Sequence, residues 1–293
     1  MMEFCCRKKP VPPWGWPSNS LINPPIRRPA LAFSECKFLS VKREGFTATV
    51  WLSRPETKNA FHPDLISELA SVFSTLASDD KLRVVFLRGK GDVFCSGADM
   101  NWMKSSLSFT ATQNVEDAQK LSRMLSIINE FPASVIGLVQ GAALGGGVGL
   151  VAVCDHVVAE SKTVFGLTEV RVGLIPAVVG SFVIAKIGLS QARSLFLSGE
   201  KFGAATALRI GLVHEMTEGE TGLDEAQKKW TEIFKKAAPG AVRSAKKYLA
   251  KWPFPPADIN DQAAAWMAQL RTGKEAQAGF ASFFKKKTPP WAE

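Results

Sequence analysis

The chain has 293 residues, 46% of them hydrophobic, and a formal net charge of +9. That suits one large domain, or one core with a small appendage, and no uncharged apolar run reaches the ~18 residues of a membrane span. Five scattered cysteines without a CxxC pair read as reduced thiols in a cytosol-like compartment, and three histidines well apart in sequence (His62, His156, His214) argue against a metal site.

Residues 1–33 are rich in proline, with no periodic apolar face, and read as a loosely attached extension. They lack the apolar core and cleavage site of a secretory signal. "FLSVKREGFTATVWLSRP" predicts a hairpin, with strands near 38–43 and 46–52 about a turn at Glu44 and Gly45. Leu65, Leu69, Val72, Phe73 and Leu76 fall at helical spacing. "LRVVFLRGKGDVFCSG" is a buried strand followed by a glycine turn. A second amphipathic helix carries Leu121, Met124, Leu125 and Ile128 and stops before Pro132. "SVIGLVQGAA" reads as a strand, "GVGLVAVCD" as a short buried helix and "HVVAES" as a strand. From about 188 onward the pattern is mostly helical, with segments at 223–238, 239–251 and 257–272. Buried strands alternating with helices give an α/β class with crossover connections.

The basic charge fits either an ordinary soluble surface or an anionic ligand. It gathers near the ends, in "RKKP", "IRRP" and "FFKKK". Aromatic and basic residues do not interleave, which argues against nucleic acid.

Two glycine loops carry the chemistry. Gly145, Gly146 and Gly147 follow a buried strand and open a helix, and so does "CSGAD", Cys95 to Asp99. Glycine tolerates the turn, and a helix start offers free N–H groups with a favourable dipole. No Lys-Ser or Lys-Thr follows, so this is not a nucleotide P-loop. An oxyanion bound by backbone N–H groups is the alternative to a phosphate.

"SRPETKNAF", "FCSGADM", "VQGAALGGGVGLVAVCDHVVA" and "VFGLTEVRVGLIPA", in that order, resemble the enoyl-CoA hydratase/isomerase (crotonase) superfamily from about residue 36 to the end. The resemblance implies a spiral of ββα units with a C-terminal helical trimerisation region. Residues 34–225 would form the spiral and 226–293 the helical part, assembled as a homotrimer or a dimer of trimers. The substrate would be an acyl thioester of coenzyme A, with no separate cofactor and no metal. Its oxygen would sit between the N–H groups of Ala98 and Gly146. Arg54, Lys58 and Ala60, together with Ser96, Gly97, Ala98, Asp99, Met100, Gly145 and Gly146, would hold the coenzyme. Trp102, Met103, Gly149 and Ala177 would line the acyl pocket, and Lys104 and Arg171 are candidate cations for a second substrate carboxylate.

Hydratases of this family commonly carry two glutamates. Here one position holds Gly149 and the other Glu169. One carboxylate can take a proton from water and return it to Cα, and it also suits isomerisation. The expected activity is therefore hydration of a 2-enoyl-CoA. "GADMNWM" and "TEVRVGLIPAVVGSFV" are similar to a branch acting on branched, carboxylated acyl groups such as 3-methylglutaconyl-CoA. An enoyl-CoA isomerase and a silent acyl-CoA binder are the alternatives. The expected compartment is the cytoplasm, or the mitochondrial matrix in a eukaryote. Asp155 reads as a turn or cap residue, and Cys95 and Cys154 as packing residues.

Overall fold

The computed structural model describes Phe33, residues 36–252 and residues 259–293. The proline-rich extension, apart from Phe33, and residues 257 and 258 of the last expected helix lie outside the described residues. Strands β1 (Leu39–Glu44) and β2 (Thr47–Leu52) pair antiparallel, from Leu39 opposite Leu52 to Glu44 opposite Thr47. This is the expected hairpin, shifted by one residue. Parallel strands β3 (Val84–Gly89) and β4 (Ser134–Val139) follow, and β4 is buried along its whole length. Such strands read as continuous apolar runs because helices cover both faces.

After β4 the chain makes β5 (Ala142–Leu144), α4 (Gly146–Ala152), β6 (His156–Glu160) and β7 (Val164–Gly166). Later come β8 (Lys201–Gly203), α6 (Ala204–Arg209) and β9 (Glu215–Thr217). The large sheet has the order β1-β2-β3-β4-β6-β9, and a small second sheet has the order β5-β7-β8. Single bridges, Phe61 to Ala98 and Cys95 to Ala143, extend the line of the second sheet.

One repeating turn explains this pattern. A long strand enters the large sheet, a short extended piece joins the second line, and a helix returns. The turns are β2, Phe61 and α1 (Pro63–Ala77); then β3, Cys95–Ala98, α2 (Met100–Ser106) and α3 (Ala111–Asn129); then β4, β5 and α4. The fourth is β6, β7, a 3-10 turn at Glu169–Val172 and α5 (Ala177–Ser198). Because neighbouring short pieces are bonded side by side, the points where they give way to helices gather along one edge. That edge holds Ala98, Gly145, Gly146 and Glu169.

Packing fixes the turns. Leu65, Ile66, Leu69, Val72, Phe73 and Leu76 of α1 are all buried, each worth about 1.5–3 kcal/mol relative to exposure. His62 caps this helix, its Nδ1 accepting from the N–H groups of Asp64 and Leu65. On the other face of the sheet, Val84, Phe86, Ile136, Leu138 and Val158 meet Leu223 and Ala226 of α7 (Gly219–Lys236). The expected boundary between 225 and 226 therefore falls inside a helix that packs on the sheet. Expected helices at 223–238 and 239–251 are α7 and α8 (Pro239–Leu249). The helical stretch expected from about 188 begins earlier, at Ala177, and Gly188 is a non-helical break within it. α9 (Ile259–Thr272) and α10 (Lys274–Phe284) complete the chain.

Two distant histidines meet in the fold. His156 stacks on His214 with ring centroids 4.8 Å apart, and lies 4.0 Å from the Trp230 ring. Asp155 does more than cap a turn: it accepts from the Val135 N–H at 2.7 Å and pairs with Lys246 of α8 at 2.6 Å. No helix among the described residues is long and apolar enough to cross a membrane.

Candidate active site

The two glycine loops lie against each other. A Cβ built on Gly97 would stand 3.0 Å from the Leu144 carbonyl oxygen, and one on Gly147 would stand 2.6 Å from that of Cys95. Gly97 (φ +94°) and Gly145 (φ +50°) both adopt backbone angles that side chains disfavour. On Gly146 the added atom would meet the Phe61 ring at 2.8 Å. Within "GGG", Gly147 packs on the Cys95 loop, Gly146 on Phe61, and Gly145 faces Glu169.

Hydrogen bonding then selects the free donors. Phe61 N–H donates to the Gly97 carbonyl at 2.7 Å, and Asp99 N–H donates to the Phe61 carbonyl at 2.8 Å. Both neighbours of Ala98 are held, while the Ala98 N–H itself makes no hydrogen bond among the described residues. Gly146 is the first residue of α4, so its N–H also has no intrahelical acceptor. Two unpaired donors, one from each touching loop, are what an oxyanion hole requires.

Glu169 stands over this point. Its Oε1 lies 3.3 Å from the position a Gly145 Cβ would take. Its Oε2 is buried and has no hydrogen-bond partner among the described residues. Buried polar atoms normally have partners, so an orphaned carboxylate oxygen marks a functional site. Burial raises its pKa above the ordinary carboxylate value, and its own backbone N–H offsets only part of that. The carboxyl is thereby a better proton acceptor than an exposed glutamate.

The other expected site residues divide. Lys58 is exposed, sits in the left-handed region (φ 54°), and its carbonyl accepts from the Ser96 N–H at 3.0 Å. Ser96 Oγ reaches the Thr57 carbonyl at 3.4 Å. These contacts seat the two segments together. Arg54 is held within the chain: its Nη1 donates to the Ala60 carbonyl at 2.6 Å and its Nη2 pairs with Asp99 at 3.0 Å. Met100 is exposed, Met103 is partly so, and Ala177 opens α5 on the surface. Trp102 is half-buried.

Gly149 differs from its expected place. It does not line a pocket but lies buried between helices. A Cβ there would meet Val179 Cγ1 at 2.5 Å and Leu125 Cδ1 at 3.4 Å. Helix α4 presses on α5 and α3, so the position of the missing glutamate is filled by apolar carbon. Cys95 and Cys154 are fully buried, and burial pushes both thiols up to about 12, which leaves them inert.

Two participants lie inside the motif "SRPETKNAF" but were not expected in the site. Asn59 is completely buried in the left-handed region (φ 54°). Its Oδ1 accepts from the Arg54 N–H, and its Nδ2 donates to the carbonyls of Lys90 and Val93. Phe61 bridges Ala98 through its backbone and meets Gly146 with its ring.

Comparison with known proteins agrees with this fold. A family model described as enoyl-CoA hydratase/isomerase matches residues 43–293. The enoyl-CoA hydratase ACTT6 of Alternaria alternata is 33% identical over 245 residues, covering 83% of this chain and 80% of that protein. An enoyl-CoA hydratase from Shewanella pealeana superposes with a TM-score of 0.84 at 32% identity, covering 88% of this chain and 97% of that one. AtuE of Pseudomonas aeruginosa gives 0.86 at 31% identity, with coverage of 88% and 100%.

Proposed function

The chain belongs to the enoyl-CoA hydratase/isomerase family, and from that premise we propose that it hydrates a 2-enoyl-coenzyme A thioester with Glu169 as its single acid–base group. The supporting observation is the buried, unpartnered Glu169 carboxylate beside the free N–H groups of Ala98 and Gly146. Glu169 takes a proton from water as the hydroxide oxygen bonds to C3. The electron pair of the C2–C3 double bond moves onto the thioester oxygen, where the two N–H groups receive the charge. The Glu169 acid then returns its proton to C2 as the enolate collapses. Each donor of such a hole is worth about 10²–10³-fold in rate. Coenzyme A enters as part of the substrate, without a separate cofactor.

The finer proposal is a branched, carboxylated acyl group such as 3-methylglutaconyl. The motifs around Trp102 and Glu169 support it. Lys104 shares α2 with Trp102 and Met103, whereas Arg171 lies along Gly199, so Lys104 is the better-placed cation. Self-association, implied by the resemblance, is supported by exposed Leu249, Trp252, Phe283 and Phe284 in the C-terminal helical region. The free thiols of Cys95 and Cys154 suit a reducing compartment, cytoplasm or mitochondrial matrix.

Isomerisation is the second reading, favoured by the apolar filling around Gly149. Crotonyl-CoA, 3-methylglutaconyl-CoA and a 3-enoyl-CoA, offered in parallel, separate the two. Hydration yields a product heavier by one water from the 2-enoyl substrates, with 3-methylglutaconyl-CoA turned over fastest. A conjugated product from the 3-enoyl substrate, with none of the 2-enoyl substrates consumed, would overturn hydration in favour of the isomerase.

A further inference from the structure

We propose that Arg54 and Asp99 form a positioning clamp that fixes the Ala98 N–H at the oxyanion, an inference that rests on the hydratase reading above. Arg54 is 45 residues from Asp99 in sequence, yet the pair is 3.0 Å apart with each side chain about nine-tenths buried (12% and 11% exposed). Nη1 donates to the Ala60 carbonyl, Nη2 donates to Asp99 Oδ2, and Cζ lies 5.6 Å from the centre of the Phe38 ring. The Arg54 backbone N–H is held in turn by Asn59 Oδ1 at 2.8 Å.

The clamp closes around one residue. Asp99 follows Ala98 directly, and its other oxygen caps α2 by accepting from the Asn101 N–H at 2.8 Å. Ala60 precedes Phe61, whose backbone bonds both neighbours of Ala98. Arg54 therefore grips the two strands that meet at Ala98, one through Ala60 and one through Asp99. A planar fork with fixed geometry does this where a lysine, a single point of charge, cannot. In this proposal both act by aiming a backbone donor. A small misplacement of such a donor costs about 10²-fold in rate.

The test compares Arg54→Lys and Asp99→Asn with the unaltered chain. Asparagine is as good a helix cap as aspartate, so Asp99→Asn breaks the ion pair while keeping α2 capped. Three readouts are taken: kcat and KM for crotonyl-CoA, affinity for butyryl-CoA, and the ultraviolet enolate band of bound acetoacetyl-CoA. The clamp is expected to show as a ~30–100-fold fall in kcat and a comparable loss of the enolate band. Butyryl-CoA affinity should change less than about twofold, because its neutral carbonyl asks little of the donor. The double variant should be no worse than the poorer single one. Weakened butyryl-CoA binding with kcat retained would overturn the clamp and assign Arg54 to coenzyme contact. An unchanged enolate band, or additive losses in the double variant, would also overturn it. Failure of the unaltered chain to hydrate crotonyl-CoA would count against the hydratase reading alone, since the enolate band reports the clamp without turnover.

Discussion

Replacing Glu169 by glutamine is expected to lower kcat by about 10²–10⁴-fold, the range supplied by a positioned acid–base group. Thioester affinity should stay nearly constant, because the amide has the same shape and the two N–H donors are untouched. Stability should move the other way. Burial raises the Glu169 pKa in the folded chain, so the folded state holds its proton to higher pH than the unfolded state does. Wild-type stability from this group is therefore present at low pH and lost as pH rises through the raised pKa. The glutamine variant escapes that loss. Its melting temperature should be no lower than that of the parent, and the gap should widen as pH rises above the ordinary carboxylate value. Parallel melts and steady-state rates measure both quantities. A variant with lost activity, lost affinity and a lower melting temperature together would assign Glu169 a structural role.

Installing the second carboxylate, by Gly149→Glu, is expected to do harm rather than improve the enzyme. The new Cβ would lie 2.5 Å from Val179 Cγ1 before the rest of the side chain is placed. Overpacking a core costs about 1–3 kcal/mol. A carboxylate in that apolar setting adds several more unless it takes up a proton. The combined loss should exceed ~3 kcal/mol, read from the urea midpoint at constant slope. Adding Val179→Ala should recover part of it. A Gly149→Glu chain with the parent's midpoint and a raised kcat would show that the position is open to substrate, against the single-carboxylate account.

These contrasts show where sequence reading works. The long elements were legible because their patterns persist: six apolar positions on α1, and the wholly apolar β4. The glycine loops and Glu169 were legible through motifs, and the fold brings them to one edge. Strands β7, β8 and β9 were not, since three residues are too few to show a period. The role of Arg54 was hidden for a different reason. A motif records that an arginine stands at a position, not whether its guanidinium meets a phosphate or an aspartate 45 residues away. Likewise Gly149 marks a missing carboxylate, but only the packing of Val179 and Leu125 shows that nothing polar can take its place. The stacking of His156 on His214, across 58 residues, is a tertiary event with no local trace.

The central claim is that one carboxylate, held above its ordinary pKa in an oxyanion site, performs the acid–base work. The pH dependence of kcat/KM for crotonyl-CoA tests it most directly, with product identified by its gain of water and with enzyme returned to neutral pH to confirm reversibility. Glu169 must be ionised to take a proton from water, so activity falls as pH drops through its pKa. The expected result is a single acid limb lying above the ordinary carboxylate value, in the direction burial imposes. Activity held constant down to pH 4.5 by a still-folded enzyme would contradict the account.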